Sequence, residues 1–371
     1  MANSAQCNQT KVKKSAQTVN STPAKLLKYC VGVDVSKSEL IVCFRSIDIE
    51  QHCIVKSTRS FQNNKKGFIA LDSWIGKFRK DSEVPLVVVM EATGVYHEAL
   101  AYFLADKGYP LSIVLPNKAK KYMQSLGLKS KNDRIDASGL AQMGCEQKLS
   151  LWQKPNEETM QLRDLTRYLE FLNGQMTDCR NRLESYEHRG IPTNLVTKQL
   201  KNLMKALEKQ IKEAQSQIGQ HIKNHKELAE KVAHITAIDG VGELTAAVII
   251  SEMNDFQLIE NQRQLVSYCG YDPIENQSGK REGKCRISKK GNAHVRRILY
   301  MPAFNVVRYA VKPFKDLFDR VYRETGIKMK GYVAVQKKIL TIIYTLYKKN
   351  EAFDPQYNNK KQDSALRQIV T

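Results

Sequence analysis

The hydrophobic period of this chain changes once, near residue 150, and that change governs what it can fold into. Before it, apolar residues come in short runs such as Lys28-Tyr-Cys-Val-Gly-Val-Asp-Val35, Glu39-Leu-Ile-Val-Cys-Phe-Arg-Ser46 and Val84-Pro-Leu-Val-Val-Val-Met90. Runs of this length, rich in β-branched residues, predict strands, and the fully apolar one predicts a strand covered on both faces. After it, Leu162, Leu165, Leu169, Leu172, Met176, Cys179, Leu183 and Tyr186 repeat at strict 3-4 spacing, which is the pattern of a coiled-coil seam. A length of 371 residues leaves room for two or three domains.

The first section predicts strands over 28–35, 39–46, 52–57, 84–90 and 111–115. Helices are predicted over 65–78, 97–107 and 133–147. The order β-β-β-α-β-α-β-α predicts a mixed sheet flanked by helices, an α/β domain over 26–152. In the second section Gly190 and Pro192 interrupt the heptads, and apolar residues resume at Leu200, Leu203, Leu207, Ile211, Ala214, Ile218 and Ile222. Residues 153–230 therefore predict two long helices. A projecting antiparallel arm and a hairpin packed on its own domain both fit. A third, mainly α-helical domain is expected over 231–350. Its segment Ile235-Thr-Ala-Ile-Asp-Gly240-Val-Gly242-Glu-Leu resembles a helix-hairpin-helix element, whose glycine turn can present amides to a phosphate. A tight turn between core helices also fits, and Asp239 reads as a turn or cap residue. The polar flanks, 1–25 and 351–371, are expected to be disordered or loose.

Lys and Arg outnumber Asp and Glu by 59 to 38, a formal net charge of +21. Such an excess points to a polyanion, with nucleic acid favoured over a membrane surface. No apolar run approaches the roughly 20 residues that span a bilayer, and the N-terminus lacks a signal-peptide core; a cytoplasmic protein with no membrane partner is expected. The eight cysteines form no C-x-x-C pair or zinc-ribbon spacing and read as small core residues in a reduced protein.

Within this basic chain four acids stand out. Asp34 interrupts the first strand, Glu91 ends the run Val87-Val-Val-Met-Glu91, and Asp133 and Asp136 lie three apart at the start of a predicted helix, on one face. An acid inside an apolar strand is costly unless it is paired or bound to metal. Mg²⁺ takes only one or two carboxylates per ion, so four suit a pair of ions that clamp the attacking and leaving oxygens of a phosphoryl transfer. Convergence of a first-strand Asp, a later-strand Glu and two helix acids at one sheet edge is the arrangement of an RNase H-like nuclease. A second chemical candidate lies in the glycine-punctuated stretch 270–292. It holds Ser278 among Lys280, Arg281, Lys284, Arg286, Lys289 and Lys290, with Arg296 and Arg297 on the helix that follows. Those cations suit phosphate contact, and Ser288 competes with Ser278 as a candidate nucleophile.

The ordered set Gly32-Val-Asp34-Val-Ser-Lys37, Glu91-Ala-Thr-Gly94, Lys131-Asn-Asp133-Arg-Ile-Asp136-Ala137, Ile238-Asp-Gly-Val-Gly242 and Ser278-Gly279 through Lys289-Lys-Gly-Asn292 resembles the bacterial insertion-sequence transposases. These join an N-terminal DEDD, RuvC-like domain to a C-terminal transposase domain, and the resemblance spans roughly residues 28–312. It implies an RNase H-like N-terminal fold with metal ligands at Asp34, Glu91, Asp133 and Asp136 that hold two Mg²⁺ ions. It also implies a serine nucleophile at Ser278 that forms a 5′-phosphoserine link to DNA, a bridge RNA pairing with donor and target DNA, and assembly as a dimer or tetramer in which acids and serine come from different subunits. The family often carries Ser-Ser-Gly at the nucleophile; Gln277-Ser278-Gly279 here leaves one serine in that tripeptide. Two other classes compete: a structure-selective nuclease of the junction-resolvase kind, which needs the acids and not Ser278, and a non-catalytic nucleic-acid scaffold.

Overall fold

The computed structural model describes residues 25–354, apart from 93, 128–131, 192–193, 258, 275–276, 279–280 and 283–285, and without the side chains of 277, 278, 281 and 282. The flanks expected to be disordered fall almost entirely outside the described residues. The chain forms two compact units that divide between Lys154 and Pro155.

The first unit is built on a five-stranded sheet, β1 (Leu26–Val35), β2 (Glu39–Asp48), β3 (Cys53–Gln62), β4 (Leu86–Glu91) and β5 (Leu111–Val114), in the order β3-β2-β1-β4-β5. Strands β1, β2 and β3 form an antiparallel meander, and β1, β4 and β5 run parallel. Helices α1 (Lys65–Phe78), α2 (Glu98–Asp106), α3 (Pro116–Ser125) and α4 (Asp133–Glu146) complete it. One face of the sheet presents Val31, Val33, Phe44, Val88 and Met90 to Leu71, Trp74 and Leu104 of α1 and α2. The other presents Cys30, Val87, Val89 and Val114 to Ala119, Leu140 and Met143 of α3 and α4. Both faces are covered, which is why β4 is apolar throughout. The mixed α/β, RNase H-like architecture expected from the sequence is the one observed. Helix α3 was not anticipated, and β3 runs five residues beyond its expected end. It is a mostly exposed edge strand, and polar residues such as Lys56 and Arg59 guard such an edge against further pairing.

The second unit contains α5 (Glu157–Glu187), α6 (Asn194–Asn224), α7 (Lys226–Thr236), α8 (Glu243–Glu252), α9 (Gln262–Tyr268), α10 (Ala293–Ile298), α11 (Tyr300–Arg308), α12 (Lys312–Thr325) and α13 (Lys328–Lys349). Helices α5 and α6 form the expected hairpin, with Asn156 capping α5 through the Glu158 amide. The heptad seam is buried at Leu162, Leu169, Leu172, Met176 and Cys179, and opposite at Leu207, Ala214, Ile218 and Ile222. Nearer the turn, Ile191, Leu195 and Leu203 are exposed. The buried part of the seam belongs to one cluster with Ile235, Ile238, Ala246, Ile250, Phe256 and Ile339, so the hairpin shares its core with the helices that follow. The helix-hairpin-helix-like element is central to that core: α8 is buried from Thr245 to Glu252. Gly240, at φ +95°, turns so close to α11 that a Cβ there would sit 3.0 Å from the Cβ of Asn305. Asp239 lies exposed in the turn. Among the described residues no helix is long and apolar enough to cross a membrane, and the six described cysteines are free thiols.

Candidate active site

The acids of the first unit are brought together by how α4 lies on β1. Side chains alternate along a strand, so Cys30, Gly32 and Asp34 share the face that α4 covers. A Cβ on Gly32 would fall 2.1 Å from the carbonyl oxygen of Ala137 and 2.2 Å from the amide nitrogen of Ala141. A Cβ on Gly144 would fall 2.1 Å from Cys30 Sγ. The helix therefore runs back along β1 at backbone contact, meeting Cys30 near its C-terminus and Gly32 near its middle. Two residues of strand match about one turn of helix, so Asp34 meets the first turn, where Asp133 and Asp136 lie.

Polar contacts hold this placement. Arg45 on β2 donates to Ser138 Oγ at 2.7 Å and Gln142 Oε1 at 3.1 Å. Lys28 donates to the carbonyls of Gly144 and Gln147, a cation at the negative end of the helix dipole. At the other end Asn132 Oδ1 accepts from the Ile135 amide, and acids in the first turn suit the positive end. Glu91 arrives from β4. Parallel pairing of Val33 with Met90 puts Glu91 beside Asp34, and Glu91 shares the α4-facing side with Val87 and Val89. Asn63 Nδ2 bridges the carbonyls of Ser36 and Tyr96 at 2.8 and 3.0 Å, tying together the segments that follow β1 and β4. Nothing in the sequence pattern singled out Asn63, because its partners are backbone atoms remote in the chain.

Electrostatics register the convergence. Burial, then the charges of Asp133, Asp136 and Glu91, push the Asp34 carboxyl up to about 6 against a small opposing hydrogen bond from the Val35 amide. Asp34, Glu91 and Asp136 are half-buried and Asp133 is exposed. Among the described residues no three His, Cys, Asp or Glu side chains close up as a ready-made metal cage. The donors that converge are all carboxylate oxygens, the preference of a hard divalent cation. Their mutual repulsion is what such a cation would relieve.

The serine segment belongs to the second unit. Its described backbone forms two short ladders: β6 (Pro273–Ile274) with β9 (Arg286–Ile287), and β7 (Gln277–Ser278) with β8 (Arg281–Glu282), where Ser278 pairs with Arg281. The Ser278 and Arg281 side chains, and Lys280 and Lys284, lie outside the described residues. Arg286, Lys289 and Lys290 are exposed. Arg296 donates to the carbonyls of Cys269 and Asn292, and Arg297 pairs with Glu170, so phosphate contact by these two would compete with internal partners.

Models of two transposase domains match the chain in this order. One, described as transposase, matches residues 31–186, and the other, described as the transposase IS116/IS110/IS902 family, matches residues 232–319. The chain belongs to this transposase family. Its enzyme class is accordingly DNA recombinase or transposase. A relative of similar build is the pilin gene-inverting protein of Moraxella lacunata, 28% identical over 88% of this chain and 98% of the relative. The transposase for insertion sequence element IS1111A of Coxiella burnetii is 25% identical over 72% of this chain and 79% of its own length. Among solved structures, Thermus thermophilus RuvC covers 33% of this chain and 99% of its own at 12% identity and TM-score 0.27, a likeness too slight to bear on the site.

Proposed function

We propose that this transposase cleaves and rejoins DNA strands with Ser278 as nucleophile and with divalent cations held by Asp34, Glu91, Asp133 and Asp136. The observation that carries the reading is the convergence of four carboxylates, from the C-terminal ends of the neighbouring strands β1 and β4 and from the first turn of α4, with Asp34 pushed up to about 6. The cations, which we take to be two Mg²⁺, would supply charge neutralisation at the phosphate and its leaving oxygen. The chain's own groups do the rest. The Ser278 hydroxyl attacks phosphorus and loses its proton, the 3′-oxygen leaves, and the strand remains joined to the enzyme by a 5′-phosphoserine ester. A 3′-hydroxyl of the exchanging strand then attacks that ester and returns the serine. One phosphoester is made for each one broken, so no external energy source is needed.

Exposed Arg286, Lys289 and Lys290, with Lys280, Arg281 and Lys284 of the same segment, would bind the backbone phosphates; Arg296 and Arg297 stand at its end. We further take sequence selection to rest with a bridge RNA that pairs with donor and target DNA, and the working assembly to be a dimer or tetramer. Support for both comes from the family the chain belongs to. The decisive experiment is to trap the protein on a cleaved duplex and map the linkage. An adduct on Ser278 that disappears in Ser278→Ala is the expected result. Normal cleavage by Ser278→Ala, with no adduct in the wild type, would instead mean that water is the nucleophile, as in a junction resolvase.

A further inference from the structure

Glu252 ends α8 and is only 4% exposed, a place where a carboxylate persists only with strong partners. Arg167 of α5 grips it with both arms of its guanidinium, Nε to Oε1 at 2.6 Å and a terminal nitrogen to Oε2 at 3.0 Å. The side-chain amide of Asn292 donates to Oε2 at 2.7 Å. Burial raises the proton affinity of Glu252, but the Arg167 and Asn292 bonds outweigh it and hold the group below its ordinary range. One turn further along α5, Glu170 accepts from His294 Nδ1 at 2.6 Å and pairs with Arg297. Two carboxylates, one on α8 and one on α5, thus fasten the first turn of α10 to the helical hairpin.

Asn292 is the residue on which this network meets the serine segment. Its Oδ1 caps α10 by accepting from the Val295 amide, its Nδ2 reaches Glu252, and its own amide donates to the Tyr268 carbonyl. It directly follows Ser288-Lys-Lys-Gly291. There the Lys289 amide donates to the Gly270 carbonyl and the Ser288 amide to that of Asp272. A Cβ on Gly291 would lie 2.3 Å from the Tyr268 oxygen. The downstream end of the segment is therefore pinned by backbone contact, and the pin is set by a buried charge. Apolar replacements of buried ion pairs are often neutral or stabilising, so stability alone gives little reason for a carboxylate here. Directional hold on Asn292 does.

We infer that Glu252 is a positioning residue for strand cleavage, fixing the downstream anchor of the Ser278 segment against the hairpin through Asn292 and Arg167. The inference rests on the serine reading above.

The test uses the full-length protein, purified with the RNA that accompanies it, on a duplex carrying the ends of its own element. Two variants are compared with the wild type. Glu252→Gln keeps the volume and an acceptor but removes the charge; Asn292→Ser keeps a good helix cap but removes the amide that reaches Glu252. Both are expected to slow single-turnover cleavage by about tenfold or more, with DNA affinity changed by less than about twofold, as for a misplaced reacting group. Amide hydrogen exchange across Ser288–Asn292 should quicken in both. Cleavage at the wild-type rate in both variants would overturn the inference. So would slowing that merely follows weaker DNA binding or a smaller folded fraction, which is what a purely structural role would give. The Ser278→Ala protein runs alongside: an adduct that persists there overturns the serine reading and this inference with it, whereas loss of that adduct beside unimpaired Glu252→Gln cleavage defeats the inference alone.

Discussion

The acid edge of the first unit and the serine segment of the second are held in opposite ways. The acid edge is fixed by close approach of backbones: α4 touches β1 at Gly32, and the strands carrying Asp34 and Glu91 are hydrogen-bonded neighbours. The serine segment has two ladders of two residues each and is secured at its base by Gly270, Gly291 and the Glu252–Asn292 contact. A metal site must hold like charges together without their ligand, so it needs a frame stiff enough to withstand repulsion. On the proposed reading the serine must meet a phosphate at one angle, and directional hydrogen bonds at the end of its segment would set that angle.

The largest test of this contrast is removal of an acid. Asp136→Ala should lower cleavage by about a thousandfold, the worth of several kcal/mol of lost charge stabilisation, while the first unit stays folded; retained activity in a metal-titrated cleavage assay would sink the metal-site reading. Next comes the frame. Gly32→Ala forces a methyl into the Ala137 carbonyl and should destabilise the first unit by about 1–3 kcal/mol, seen as a lower urea midpoint together with weaker divalent-ion binding. Wild-type stability would show that α4 can shift freely, and that the edge is no stiffer than the serine segment.

A smaller effect comes from the repulsion itself. The Asp34 carboxyl is pushed from 3.8 up to about 6, so the folded state binds this proton more tightly than the unfolded chain does. The stability contributed is fully present below about pH 4 and is lost as pH rises through about 6. In the metal-free protein Asp34→Asn should therefore raise stability at pH 7 by on the order of 1–2 kcal/mol, part of the full linkage value because the group is partly solvated. It should have no such effect at pH 3.5, and equal gains at both pH values would contradict the account. The smallest effect concerns the serine segment's cations. Replacing Lys289 or Lys290 by Ala should reduce the salt slope of DNA binding by about one each, whereas Arg297→Ala, whose charge already serves Glu170, should change it less.

Much of this was legible in the chain. Apart from β3, which runs five residues past its expected end, the expected strands and helices of the first unit fall within two residues of those observed, because β-branched runs and apolar faces are set by local pattern. Asp34 and Glu91 were visible because carboxylates in or beside apolar runs are conspicuous, and Asp133 and Asp136 because they lie three apart at the start of a predicted helix. Helix α3 was missed since only Ala119 and Tyr122 of its ten residues are buried, too few to make a period. Asn63, Arg45 and Glu252 were missed for another reason: each acts through partners 27 to 97 residues away, and such pairs leave no trace in spacing.

By itself the sequence determined that an α/β unit precedes a helical one, which residues could carry acid and serine chemistry, and that the whole is strongly basic. These follow from period, composition and residue type, which are local properties. Only the tertiary structure decided that Gly32 lets α4 press on β1 until Asp34 joins Asp133 and Asp136, and that the heptad hairpin shares its core with the helices after it. It also decided that a buried Glu252 on α8 meets Asn292, 40 residues further along the chain, at the downstream end of the segment that holds Ser278. Each of these depends on which surfaces meet, and that is settled by packing over the whole unit and by no stretch of the chain alone.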